Sequence, residues 1–200
     1  MAKKFCMCPT WWIRDEEGLG RFSAGKDAGQ NIAALKCVIA ISTAIDFHSR
    51  KAKLSLSDLE SLTGLSRPMV IRGIAVLQGF GIVNVGKAGR VHEYELTVLE
   101  DDAKWGKIPY DRALKQLHTL PNRGAIPLTA LKLYLLLIAI RNNTSETVFI
   151  GYDLIEIHLS CQRSQVRPAI DILYTHLLIS VALMGQERQR LHNAYQVLGL

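Results

Sequence analysis

Between Ser66 and Arg72 the chain lays out a hydroxyl, two guanidinium groups, a proline and a thioether, as Ser66-Arg67-Pro68-Met69 followed by Arg72. Val70, Ile74 and Leu77 run alongside at helical spacing. With that aliphatic stripe turned inward, the opposite edge presents positive charge and hydrogen-bond donors. Such groups suit a polyanion: a guanidinium matches guanine in a major groove and matches phosphate equally well. Lys87 and Arg90, in the basic stretch Gly86-Lys87-Ala88-Gly89-Arg90, supply further phosphate contacts. A second set follows later in the chain, with Gln162, Arg163, Gln165 and Arg167, then Arg188 and Arg190.

Other chemistries fit the residues less well. Cys6-Met7-Cys8 and His158-x-x-Cys161 hold four metal-ligating side chains, but without the two close C-x2-C pairs of a structural zinc site. Cys37 and Cys161 instead occupy places held by leucines elsewhere in a repeat described below, which makes them core residues. The four cysteines have no disulfide-framework spacing. Gly20-Arg21-Phe22-Ser23-Ala24-Gly25-Lys26-Asp27 imitates a phosphate-binding loop, yet Asp27 stands where a magnesium-ligating hydroxyl belongs and no apolar strand leads in. The six histidines share no spacing. The expectation is therefore a protein that is no enzyme, with no catalytic residues, metal, cofactor or small-molecule substrate.

The elements that would position these groups occur twice. Ala34-Leu35-Lys36 reappears as Ala130-Leu131-Lys132, an offset of 130 − 34 = 96, and Glu60, Arg67, Val70, Ile74 and Leu77 reappear at the same offset. One copy reads as a helix over 31–47, a short extended piece at Leu54, a second helix introduced by Ser57-Asp58-Leu59-Glu60 as a capping box, and a third capped by Ser66. Gly79 and Gly81 end it. Strands at 82–85 and 91–96 then flank a flexible turn over 86–90. The second copy follows the same plan, with helices over 129–141, 153–159 and 163–176 and strands over 148–150, 179–184 and 193–197; 185–190 is its hairpin tip. Pro168 replaces Arg72, so that helix should start late with Ser164 as cap, or bend.

Leu131 to Ile140 is apolar on nearly every face, which demands burial all round. Packing on the equivalent helix (Leu35 to Ile45) across a pseudo-twofold, or on another subunit, would provide it. Trp11, Trp12 and Trp105 lie in lead-in segments, where they read as packing anchors. Asp15 and Asp111 align at the repeat offset, suggesting that each copy owns a lead-in lying beneath it.

The stretch from Leu62 to Val83 resembles the helix-turn-helix and first wing strand of winged-helix DNA-binding proteins, among them bacterial transcription regulators and phage or plasmid replication proteins. The resemblance implies an α+β, mainly α fold: two tandem winged helix-turn-helix domains related by internal duplication about a pseudo-twofold. The expected layout is a lead-in over 1–28, a first domain over 29–100, a linker and second lead-in over 101–123, and a second domain over 124–200. Double-stranded DNA is the implied partner, with a homodimer or the replication or transcription machinery as further partners. Sequence-specific replication initiation or control in a plasmid, phage or mobile element is the leading expectation. Transcriptional regulation and a protein-interaction scaffold are the alternatives.

Composition agrees with a folded protein that meets polyanions. Of 200 residues 48% are hydrophobic and 21% charged, and 24 Lys and Arg against 18 Asp and Glu leave a formal charge of +6. Cys6 to Arg14 is no secretory core, and the longest apolar run, Leu133 to Ile140, is too short for a bilayer. A cytoplasmic location with no membrane partner is expected.

Overall fold

The computed structural model describes residues 4–15, 17–46, 48–89, 91–99, 104–141, 147–184 and 192–200. The fold is α+β and mainly helical. A lead-in of β1 (Phe5–Pro9), α1 (Trp11–Arg14) and a 3-10 turn (Gly18–Arg21) precedes α2 (Ala28–Ala44), β2 (Lys51–Leu54), α3 (Leu56–Thr63), α4 (Arg67–Gly79), β3 (Val83–Ala88) and β4 (Val91–Leu96). The order then recurs: β5 (Trp105–Pro109), α5 (Tyr110–Gln116), α6 (Ala125–Ile140), β6 (Thr147–Phe149), α7 (Tyr152–Leu159), α8 (Arg163–Thr175), β7 (Ile179–Met184) and β8 (His192–Val197). Each half ends in a three-stranded antiparallel sheet of the same order, β2-β4-β3 and β6-β8-β7.

Several boundaries differ from the sequence reading for local reasons. Helix α3 starts two residues earlier than the Ser57 cap implies: Ser55 is the N-cap, and its capping box closes with Asp58 rather than Glu60. Ser66 does cap α4, but through backbone geometry alone, with Pro68 in the first turn. The basic stretch over 86–90 is not a loose turn throughout, because β3 continues to Ala88, with Gly89 at φ 66° just beyond it. Helix α8 neither starts late nor takes Ser164 as its cap. Gln162 is the N-cap and Pro168 sits inside the helix, leaving the Ser164 carbonyl without its amide donor four residues on.

The central layer is the pair α2 and α6, which pack on each other as the all-round apolar character of Leu131 to Ile140 requires. Every residue from Asn31 to Thr43 and from Leu128 to Ala139 is buried, so both helices are enclosed on all sides. No helix among the described residues is long and apolar enough to cross a membrane. Around this pair α4 closes on α2 and α8 on α6. The α2–α4 crossing is so tight that a Cβ at Gly73 would lie 2.6 Å from the Ala33 carbonyl carbon. The matching position in the second half is Ala169, buried in α8, so that crossing leaves room for a methyl group.

The lead-ins do not simply lie beneath their own halves. Strands β1 and β5 pair antiparallel, Phe5 with Pro109 and Pro9 with Trp105, and their bounds and buried positions match at an offset of 105 − 5 = 100 residues rather than 96. Asp15 and Asp111 are consequently not equivalent: one caps the end of α1, the other lies in the first turn of α5. Each lead-in loop is wedged between both halves. The Phe22 ring packs edge-on to Phe80 at 5.2 Å, while its carbonyl accepts from Lys132 Nζ at 3.1 Å. In the mirror arrangement Thr119 meets His176 at 3.0 Å and the Leu120 carbonyl accepts from Lys36 Nζ at 2.7 Å. Trp12 is fully buried against Phe22, the packing role expected of it.

Lys36 and Lys132 are thus buried tethers. Lys36 also donates to the Thr63 carbonyl at 3.0 Å, and Lys132 to the Leu159 carbonyl, the last residues of α3 and α7. An ammonium at a helix C-terminus satisfies carbonyls that have no amide partner. Desolvation nevertheless pulls both lysines down to about 8 from 10.5.

Two outcomes follow from this packing. Gly73→Ala forces backbone apart from backbone and should cost about 2 kcal/mol despite the better helix propensity of alanine, read from the denaturant midpoint. Between pH 8 and 10.5 the unfolded chain holds more protons on Lys36 and Lys132 than the folded chain, so these residues raise stability as pH climbs. Burial pushes Cys8 and Cys37 from 9 up to about 12, which has the opposite sign above pH 9. Denaturant titrations should therefore show a rise from pH 8 to 9, a plateau where the two lysines and the two thiols offset each other, and a decline above pH 10.5. Lys132→Met should flatten the rise.

Candidate functional site

Helix α4 carries the densest group of expected contact residues. Val70, Ile74 and Leu77 are buried against α2, and Gly73 sets the depth of that contact. The outward edge is Ser66, Arg67, Pro68, Ile71 and Arg72, all exposed, with Met69 half-buried beside Gly29. No acidic residue occurs in α4. Arg67 lies 3.9 Å from Glu60, a loose pair on an exposed surface that contributes little. Among the described residues Arg72 forms no ion pair.

The hairpin brings one more cation to this side. Lys87 pairs opposite His92 and follows Val83 and Val85 at strand alternation, on the sheet face that packs toward α4. Lys87 itself is exposed. The outer face behaves differently, because Lys51 binds Glu93 at 2.8 Å across β2 and β4 and holds that carboxyl below its usual range. Arg90 lies outside the described residues, as do Arg188 and Arg190.

The second half places its expected residues less openly. Arg163 is clamped by Asp153 and by Glu156 at 3.0 Å, and its guanidinium stands 5.8 Å from the Tyr152 ring. Gln165 is half-buried and accepts from the Thr129 hydroxyl at 3.3 Å. Gln162 and Arg167 remain exposed. Arg67 and Arg163 are equivalent in sequence, yet only the second is held by two carboxylates. The difference comes from Asp153, which stands where the first half has Ser57.

A feature that sequence reading missed lies between α8 and its hairpin. Tyr152, Arg167, Ile170, Asp171, Tyr174, Val181 and Asn193 line a groove of about 300 Å³. The corresponding residues of the first half are Leu56, Ile71, Ile74, Ala75, Gln78, Val85 and His92. Comparing the copies for what differs, rather than for what repeats, would have exposed it.

The remaining candidates separate. Cys6 and Cys8 are buried in β1, with the Cys6 thiol donating to the Ile108 carbonyl at 3.5 Å. No group of three His, Cys, Asp or Glu able to hold a metal occurs among the described residues. The segment 20–27 passes from the 3-10 turn to Asp27, the N-cap of α2, and Lys26 points to solvent. No protein-family model matches this chain, and no curated protein sequence matches it.

Proposed function

We propose that this protein binds double-stranded DNA through two winged-helix units that arose by duplication, in the cytoplasm, as a replication initiator or replication-control protein of a plasmid, phage or mobile element. The observation that carries the reading is the outward edge of α4: Arg67 and Arg72 exposed on a helix free of acids, with Lys87 on the adjoining hairpin face. In this reading Ser66 to Arg72 enters a major groove while Lys87 contacts phosphate, so α4 selects sequence and the hairpin supplies affinity. Transcriptional regulation uses the same contacts.

The second unit contributes differently. Its helix start is engaged internally through Arg163, and Phe149, Leu154 and Ile157 stand exposed where the first unit has Lys53, Asp58 and Ser61. Those apolar side chains favour a second reading for this half, contact with protein rather than with a duplex.

Arg67→Ala should relax base choice at a cost of about 1 to 3 kcal/mol, whereas Lys87→Ala should weaken all sequences alike and lower the salt slope by about one unit. Gel shifts of specific and random duplex over a salt series measure both. Complete absence of a shift at low salt would leave the scaffold reading standing and remove the DNA reading.

A further inference from the structure

The geometry points to the groove between α8 and the β7–β8 hairpin as a binding site for one unstacked nucleotide, with a base bearing an exocyclic amino group. This inference deepens the nucleic-acid reading above and rests on it for the class of ligand.

Tyr174 is 58% exposed and Tyr152 half-buried, both on the groove wall, with Ile170 and Val181 providing its apolar surface. An exposed aromatic ring beside an apolar floor is the stacking platform used for single strands. A paired base keeps its faces against its neighbours, so only a base outside the stack can lie on such a ring.

The polar groups occupy suitable places. Arg167 and Asp171 are one helical turn apart on the same lining, and neither forms an ion pair among the described residues. Arg167 is therefore available to phosphate. Asp171 is a pure acceptor, matched to the amino group of cytosine. Asn193 donates to the Tyr195 hydroxyl at 3.1 Å, which fixes its amide at the hairpin side of the groove. The volume, about 300 Å³, sits at the small end of ligand pockets.

The first half makes the contrast. Its matching positions hold Leu56 for Tyr152, Ile71 for Arg167, Ala75 for Asp171 and Gln78 for Tyr174. Both rings and both charges are confined to one copy of the shared framework. A repeated unit that keeps its core and changes one groove wall in this way has acquired separate chemistry there.

The test is fluorescence anisotropy of the full-length protein with a labelled deoxycytidine dodecamer, a thymidine dodecamer, and a duplex, with free dCMP as competitor. The deoxycytidine strand should bind more tightly than the thymidine strand. Tyr174→Ala should weaken strand binding about tenfold, Tyr174→Phe should restore it, and duplex affinity should respond to Arg72→Ala but not to Tyr174→Ala. Competition by dCMP at the same nucleotide concentration would identify a free nucleotide as the ligand, and competition only at great excess a strand; either supports the site. Strand affinity unchanged by Tyr174→Ala, or no strand binding while duplex binding is intact, overturns it. Strand binding that depends on Tyr174 without any duplex binding would overturn the α4 reading alone.

Discussion

Two ammonium groups inside the apolar layer hold this protein together as one body. Lys36 and Lys132 each join three things: the central helix that bears the lysine, the last carbonyl of the short helix packed on it, and a carbonyl from a lead-in loop that also touches the other half. Burying a charge is expensive, and it persists only where hydrogen bonds replace water. Carbonyl oxygens at two helix ends and two loops do so. Because each acceptor pair spans both halves, the arrangement fixes where the halves sit as well as where the lysines go.

The placement of α4 and α8 depends on that layer. Each packs its aliphatic stripe on one of the enclosed central helices, leaving its other edge to solvent. On α4 this edge is cationic and loosely engaged; on α8 it is partly spent on Asp153 and Glu156. One framework therefore presents two unlike surfaces. The distinction arises from a few substitutions outside the core, since Val70, Ile74 and Leu77 recur unchanged as Val166, Ile170 and Leu173.

Much of the secondary structure was legible because it rests on local pattern. The all-apolar run of α6 called for burial on every side, and the helix is enclosed. What failed was decided by near-equal local choices. Ser55 and Ser57 are both competent caps, and the chain uses the one whose partner is Asp58. Of the two readings of Pro168, the late start fails, because α8 begins at Arg163 and runs through the proline. The wedged lead-ins and the groove were not legible, because each depends on contacts between segments distant in sequence. Lys36 and Lys132 could have been flagged, as identical charges in otherwise apolar helices.

The pairing of β1 with β5 has a consequence for the order in which the molecule can be completed. During synthesis the first hundred residues leave the ribosome with β1 lacking its neighbour strand and with Lys36 lacking the Leu120 carbonyl. The face of α2 destined for α6 is likewise bare until residue 140 has been made. Non-local closure of this kind is slow, and a nascent half with an open strand edge and uncovered apolar surface is prone to self-association. The early product is thus an unfinished shell that waits on its own second half.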